Sequence, residues 1–171
     1  MKWVGTGSES TRLTALRGDP SADKSAVAAG ASFGRVRNPE NPMTYVIGKQ
    51  FTFCAAHHLD RLPPEHECSR VHGHTYTVEV QLTSEHLDSA DMVCDFGDLD
   101  SMGDHIAATL DHRDLNRALT VQPTCERIAE HLYRWCRDNL PAGQLVTAVR
   151  VSESPRTWAE YRPGAAIDGA R

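Results

Sequence analysis

The segment from Cys68 to Leu82 constrains the fold more than any other part of the chain, because it alternates in polarity from His72 onwards. Side chains two residues apart in a β-strand point to the same face of a sheet. The alternation therefore puts one row of side chains on a single face: His72, His74, Tyr76, Val78, Val80 and Leu82. This pattern predicts a half-buried strand whose apolar row begins with two imidazoles, held rigidly at the edge of the core.

A second alternating segment lies upstream and ends in a third histidine. Its predicted shared face consists of Phe51, Phe53, Ala55 and His57. If the two strands pair, His57 converges with His72 and His74, and three neutral imidazoles with an open fourth position are the ligands of a catalytic zinc ion. Ordinary core or surface histidines are the alternative, which the repeated pattern disfavours. His58 would point to the opposite face and is not expected to be a ligand.

The rest of the chain predicts two helices and a further strand. Asp95 is a suitable N-cap for the first helix, and the second helix is predicted from about Thr124 to Asn139. The strand is predicted over residues 145–153, and the pattern also allows a short strand at about 92–95. Strands with inserted helices favour an α+β fold, in which the helices cover one face of an antiparallel sheet.

Composition excludes several classes of function. A length of 171 residues is enough for one domain. The net charge of −5 argues against a nucleic-acid-binding surface, and no apolar run approaches the roughly 20 residues of a membrane span. An odd number of cysteines, five, without a secretory signal predicts reduced thiols and a cytoplasmic protein.

Residues 1–42 differ in composition from the remainder. They are rich in Gly, Ala, Ser, Asp and Arg and contain few large apolar side chains. Such a segment cannot bury enough apolar surface to offset its loss of conformational entropy, so we expect a disordered extension before a domain at 43–171. A vector-derived or mis-assigned start would explain it. An organellar presequence is the weaker interpretation, because acidic residues recur in it.

Four motifs, occurring in this order, resemble the 6-pyruvoyl-tetrahydropterin synthase family. They are FTFCAAH, ending at His57; CSRVHGH, ending at His74; LDHRDLN, at 110–116; and QPTCE, at 122–126. The compact chain is most similar to the bacterial branch of the family, which makes 6-carboxy-5,6,7,8-tetrahydropterin for queuosine. The resemblance runs from about Met43 to about Tyr161. It implies the tunnelling fold, a four-stranded antiparallel sheet with two helices, in which sheets from several subunits close into a barrel.

Proton transfer requires a base near the metal, and three residues are candidates. Cys68 lies four residues before His72, and its thiolate would be the reactive form. Asp111 and His112 form a carboxylate–imidazole pair of the kind that fixes a histidine tautomer, although a solvent-exposed pair at a helix end explains them equally well. The resemblance makes all three catalytic and brings Asp111 and His112 from a neighbouring subunit. The other cysteines are expected to be small buried hydrophobic residues: Cys54, Cys94, Cys125 and Cys136.

Glu153 closes the apolar row of the last strand, as His57 and His74 close theirs. Its carboxylate can accept two hydrogen bonds from the guanidine-like edge of a pterin, and the alternative is an ordinary charge at a strand end. Thr124 and Glu126 are predicted to line the pterin pocket, although their position at a helix start explains them nearly as well. The triphosphate needs cations, for which the sequence offers unranked candidates: Arg70, Lys49 and Arg113.

The resemblance implies a zinc-dependent lyase that converts 7,8-dihydroneopterin triphosphate to 6-carboxytetrahydropterin, releasing acetaldehyde and triphosphate. The first alternative is formation of 6-pyruvoyl-tetrahydropterin at the same site, and the second is a non-catalytic zinc-binding oligomeric module. The expected partner is the pterin triphosphate alone, with no nucleic acid and no membrane. A homo-oligomer, a trimer or a hexamer, is also expected.

Overall fold

The computed structural model describes residues 44–164, so the expected disordered extension at 1–42 lies outside the described residues. None of the helices in this part of the chain has the length and apolar composition needed to cross a membrane. The helices and strands, in chain order, are β1 (Tyr45–His57), β2 (His72–Ser84), α1 (Asp100–Thr109), β3 (Arg113–Asp114), α2 (Leu115–Ala118), α3 (Cys125–Asn139), β4 (Val146–Ser154) and β5 (Thr157–Tyr161).

The strands form one five-stranded sheet in the order β3-β1-β2-β4-β5. Strands β1, β2, β4 and β5 are antiparallel neighbours, whereas β3 pairs in parallel with β1 at only Ala55 and Ala56. The α+β prediction is confirmed. The short strand allowed at 92–95 is absent from the structure, and the residue patterns predicted neither β3 nor β5.

The alternating rows of β1 and β2 face the core, as predicted. Tyr76, Val78, Val80 and Leu82 have no exposed surface, and the row of β1 becomes more buried towards its end, where His57 is 2% exposed. The helices cover this face with further buried side chains, mainly Leu99, Met102, Ile106, Ile128, Leu132 and Cys136. Burial of these apolar surfaces is the main stabilising contribution to the fold.

Both predicted helix starts are confirmed. The Asp95 side chain accepts a hydrogen bond from the Gly97 N–H at 2.7 Å and caps a 3₁₀ turn that leads into α1. The Thr124 hydroxyl accepts from the Arg127 N–H at 3.4 Å and caps α3. These caps satisfy backbone donors that a helix start leaves free. The residue before Thr124, Pro123, is thereby held at the end of the sheet where β1 finishes.

Two histidines, one in α1 and one in α3, lie where the two helices pack together and predict a loss of stability at mildly acidic pH. The His105 ring stacks on Trp135 with 4.2 Å between centroids, and the His131 ring lies 6.2 Å from that of His105. Burial lowers the pKa of both histidines, and the nearby His131 also lowers the pKa of His105. Because the pKa values are lower in the folded state, their contribution to stability is present above about pH 6.5 and is lost as the pH falls through the folded values.

His105→Phe keeps an aromatic ring against Trp135 and removes one titrating group. Both proteins are measured without metal. We expect the melting temperature of the variant to fall less than that of the wild-type protein between about pH 7 and about pH 5. Thermal unfolding followed by circular dichroism measures this difference. An identical pH dependence in the two proteins would contradict the assignment.

Candidate functional site

Three histidines cluster at one end of the sheet, as the strand patterns predicted. The β1–β2 register pairs His57 with His72, and His74 follows on the same face of β2. Possible ligand atoms of the three side chains all lie within 4.8 Å of one another. Among residues 44–164 no other group of three or more His, Cys, Asp or Glu residues has this geometry. The cluster can therefore hold a metal ion.

Backbone carbonyl groups determine which ring nitrogens are free. His57 Nδ1 lies 2.7 Å from the Pro123 carbonyl oxygen, and His72 Nδ1 lies 2.8 Å from that of Arg70. A carbonyl only accepts, so both Nδ1 atoms donate and both Nε2 atoms carry lone pairs. The two Nε2 atoms are 3.1 Å apart. Facing lone pairs at that distance repel each other unless a cation or a proton lies between them, so the donor set fits a metal ion.

Burial favours the ligand form of His57. Burial lowers its pKa below the ordinary value, against the opposing effects of the Pro123 hydrogen bond and the Glu153 carboxylate. The neutral imidazole is the form that binds metal ions. His58, by contrast, lies 2.7 Å from Asp60 and takes no part in the cluster, as its position in the strand predicted.

Glu153 lies beside the histidine cluster. The β2–β4 register continues so that Glu153 faces the same side as Tyr76, and its Oε1 is 3.8 Å from His57 Nε2. The Cys125 side chain lies near this carboxylate, and burial, followed by the charge of Glu153, raises the pKa of the thiol. Cys125 is therefore more than the buried hydrophobic residue we expected, because the start of α3 places it against Glu153.

Cys68 lies in the short 3₁₀ turn before β2 (Glu67–Ser69). Its backbone carbonyl accepts a hydrogen bond from the Leu59 N–H at 2.8 Å, and its own N–H donates to His66 Nδ1 at 3.1 Å. Leu59 follows His57 by two residues. The loop that carries the thiol is thus tied to the chain just beyond the histidine end of β1.

Asp111 and His112 bind the edge of β1 and do not join the histidine cluster of their own chain. His112 Nδ1 lies 2.9 Å from Asp111 Oδ2, the Cys54 N–H donates to Asp111 Oδ1 at 2.9 Å, and the His112 N–H donates to the Cys54 carbonyl at 2.6 Å. The Cys54 N–H and the His112 ring lower the pKa of Asp111. His112 has a φ of 54° and a 79% exposed side chain, so a strained backbone presents its ring outwards.

An open groove of about 640 Å³ lies along this edge, with His74 and His112 both in its lining. Cys54 also lines it; its residue is exposed and its thiol lies 3.5 Å from the Thr75 hydroxyl. Our expectation of a buried Cys54 is wrong, because this residue lies on the outer face of β1. Cys136 is buried as expected, and Cys94 is half-buried.

The candidate cations for a triphosphate differ in their surroundings. Lys49 forms an ion pair with Asp100 and donates to the Phe96 carbonyl at 2.8 Å, so its charge is already engaged. Arg113 donates to the Ala108 carbonyl at 3.3 Å and lines the groove. Arg70 forms no ion pair within residues 44–164, and its side chain is exposed.

Asn116 holds the chain next to the histidine cluster, a role that sequence reasoning missed. Its Oδ1 accepts from the His58 N–H and its Nδ2 donates to the His58 carbonyl, both at 2.9 Å. The side-chain amide thus fixes the backbone of the residue that follows His57. The only signal in the sequence was the position of Asn116 at the end of the LDHRDLN motif.

Comparisons with known proteins found similar sequences and similar structures. Residues 46–164 match the family model described as 6-pyruvoyl tetrahydropterin synthase. The 6-carboxy-5,6,7,8-tetrahydropterin synthase of Bacillus subtilis is 30% identical over 131 residues, which cover 72% of this chain and 89% of that protein. The enzyme of the same name from Synechocystis is 37% identical over 97 residues, 52% of this chain and 72% of that protein. The structure of Caenorhabditis elegans 6-pyruvoyl tetrahydropterin synthase superposes with a TM-score of 0.64 at 22% identity, covering 71% of this chain and 96% of that one.

Proposed function

The chain belongs to the 6-pyruvoyl tetrahydropterin synthase family, and from this premise we propose that it is a zinc-dependent lyase acting on 7,8-dihydroneopterin triphosphate. The product we propose is 6-carboxy-5,6,7,8-tetrahydropterin, formed with release of acetaldehyde and triphosphate. Relatives at 30–37% identity that carry this activity in their names support the carboxy product. The observation that carries the proposal is the cluster of three imidazoles with Glu153 at its side.

His57, His72 and His74 would hold the metal. The Pro123 and Arg70 carbonyls orient two of the rings, and a hydrogen bond to the other ring nitrogen fixes the tautomer and raises the basicity of a ligand. Zinc, when bound, supplies a Lewis acid that makes a nearby hydroxyl group more acidic. Three imidazoles with an exchangeable fourth position are typical of catalytic rather than structural zinc sites.

Glu153 would anchor the pterin ring. Its carboxylate can accept one N–H of the guanidine-like edge on each oxygen, in the geometry that carboxylates adopt with Arg. A substrate held there at one end would direct its side chain towards the histidines, because Glu153 and His57 are near neighbours. Thr124 and Glu126 remain predicted lining residues, although the Thr124 hydroxyl also caps α3. Arg70 is our first choice for the triphosphate, since the charge of Lys49 is engaged.

Cys68, Asp111 and His112 would transfer protons. His112 donates from Nδ1 to Asp111, which leaves Nε2 free to take or give a proton. Because the pair lies outward at the edge of β1, we propose that it serves the site of a neighbouring copy. Within residues 44–164, β1 is paired on its β3 side only at Ala55 and Ala56, and an edge of this kind favours pairing with another chain. A homo-oligomer of three or six copies in the cytoplasm fits this proposal.

Product analysis tests the function. Incubation of the metal-loaded protein with 7,8-dihydroneopterin triphosphate should release acetaldehyde, and a chelator should suppress the release. Pyruvoyl product without acetaldehyde would favour the first alternative, elimination of triphosphate alone. A protein that binds zinc but consumes no substrate would favour the non-catalytic module.

Asn116→Ala should weaken metal binding although Asn116 touches no ligand atom. Loss of both hydrogen bonds to His58 frees the end of β1, and we expect about tenfold weaker zinc binding, the lower end of the range for residues that support metal ligands without touching the ion. Competition with a chromogenic chelator measures the affinity. Asn116→Asp keeps the acceptor for the His58 N–H and should lose less. Equal affinities of the alanine variant and the wild-type protein would contradict this role.

A further inference from the structure

Tyr76 is a buried residue whose hydroxyl group has no hydrogen-bond partner. Its side chain has no exposed surface, and within residues 44–164 the hydroxyl makes no hydrogen bond. Buried polar groups are nearly always hydrogen-bonded, because leaving one unpartnered destabilises the fold. A phenylalanine would fill the same space without this penalty. Packing of the free protein therefore does not explain why this residue is a tyrosine and not a phenylalanine.

The surroundings of Tyr76 point to the site. Its ring stacks on Phe53 with 4.8 Å between centroids, and it meets the rings of His57 and His74 edge-on at 6.0 and 5.6 Å. The strand register aligns it with Glu153 on the same face of the sheet. A tyrosine hydroxyl keeps its proton at neutral pH and is therefore available as a donor.

We propose that Tyr76 is a positioning residue for Glu153, its hydroxyl donating a hydrogen bond to the Glu153 carboxylate when a pterin occupies the site. This inference rests on the proposed function, in which Glu153 anchors the pterin. It adds a residue whose contribution appears in the bound state and is absent from the free protein.

The hydrogen-bonding capacity of the carboxylate supports this role. A carboxylate has two oxygens with about four acceptor positions, and the guanidine-like edge of a pterin takes one on each oxygen. Two positions remain for donors of the protein. The Tyr76 hydroxyl, on the neighbouring strand, is a donor without a partner among residues 44–164.

The metal proposal strengthens the argument. His57 Nε2 is 3.8 Å from Glu153 Oε1 but cannot donate to the carboxylate, because the ring proton is on Nδ1. That nitrogen is also one of those assigned to the ion, so His57 provides no hydrogen bond that could hold the carboxylate. Tyr76 then becomes the remaining group that can hold the carboxylate from the β2 side, in the orientation the pterin needs.

Tyr76→Phe tests the proposal, with Tyr133→Phe as a matched control. Tyr133 is also a buried tyrosine, but its hydroxyl donates to the Val146 carbonyl at 3.4 Å and lies outside the site. Both variants are made in the full chain and loaded with zinc. Neopterin, which carries the same guanidine-like edge and does not react, is the fluorescent probe for binding. Thermal unfolding and competition for zinc are measured in parallel.

We expect Tyr76→Phe to bind neopterin about five- to tenfold more weakly, the loss of one hydrogen bond, while zinc affinity is unchanged. Its melting temperature without neopterin should be equal to the wild-type value or about 2–4 °C higher. Tyr133→Phe should melt about 2–4 °C lower and bind neopterin normally.

Two results would overturn this inference but not the proposed function. The first is a Tyr76→Phe variant that binds neopterin with wild-type affinity. The second is a Tyr76→Phe melting temperature lowered as far as that of Tyr133→Phe, because this would show that the Tyr76 hydroxyl already has a structural partner. Failure of the wild-type protein to bind neopterin at all would overturn the proposed function and this inference together. The wild-type measurement thus separates the two failures.

Discussion

His72→Ala should remove the metal and, with it, the enzymatic activity. Loss of one of three ligands should weaken zinc binding by more than the roughly 10–100-fold caused by loss of a residue that only hydrogen-bonds to a ligand. His72 is the most informative ligand to remove. Its ring is only half-buried, whereas His57 is buried in the core and its removal would leave a cavity. Zinc content after dialysis, measured by mass spectrometry, should fall from one ion per chain to almost none.

His58→Ala is the matched control for the metal site. It removes an imidazole from the position next to His57, but this ring pairs with Asp60 outside the cluster. We expect the variant to retain its zinc. A His72→Ala protein that keeps stoichiometric zinc, with an unchanged circular dichroism spectrum, would refute the three-histidine site.

Cys68→Ala should lower turnover by about 10²–10⁴-fold while leaving zinc content and melting temperature unchanged, since that is the range attributed to a general acid or base. His112→Ala should behave in the same way, because its exposed ring contributes nothing to the core. Cys94→Ala is the control for removal of a half-buried thiol. Burial, then nearby acidic residues, raise the pKa of Cys94, so this thiol is poorly reactive and its loss should not affect turnover.

Mixing the Cys68→Ala and His112→Ala variants tests whether each site is built from two copies of the chain. If Cys68 and His112 of one site come from different chains, random reassembly of equal amounts gives about one quarter of sites with both residues intact. Activity should then return to about a quarter of the wild-type value. No recovery after verified subunit exchange would show that both residues act within one chain, contrary to our proposal. Full turnover in either single variant would refute the catalytic roles.

Residue patterns predicted much of this site because two of its strands alternate strictly. In a strand, a period of two places every second side chain on one face, so His72 and His74 had to lie together at the end of the buried row. His57 ended a row of the same kind, and antiparallel pairing placed it beside His72. The helix starts at Asp95 and Thr124 were equally readable, because an N-cap depends on local hydrogen bonds alone.

Other parts of the site depend on contacts between residues far apart in the chain. The partner of Asn116 is the backbone of His58, and the partner of Cys125 is Glu153; no local pattern specifies either pair. Strand β3 has only two residues and exists because the segment after α1 meets the edge of β1. The outward position of Asp111 and His112 follows from the same encounter, through their hydrogen bonds to Cys54.

The sequence by itself determined the fold class, the two long strands and the three histidines that share an end of the core, since each depends on the periodicity of a single element. Only the tertiary structure decided what surrounds them. The carbonyls that fix the ring tautomers, the thiol at Glu153 and the unpartnered hydroxyl of Tyr76 are contributed by segments that meet only when the sheet and α3 pack together. The physical reason is that strand periodicity is local, whereas a hydrogen bond between distant segments exists only at the distance that packing imposes.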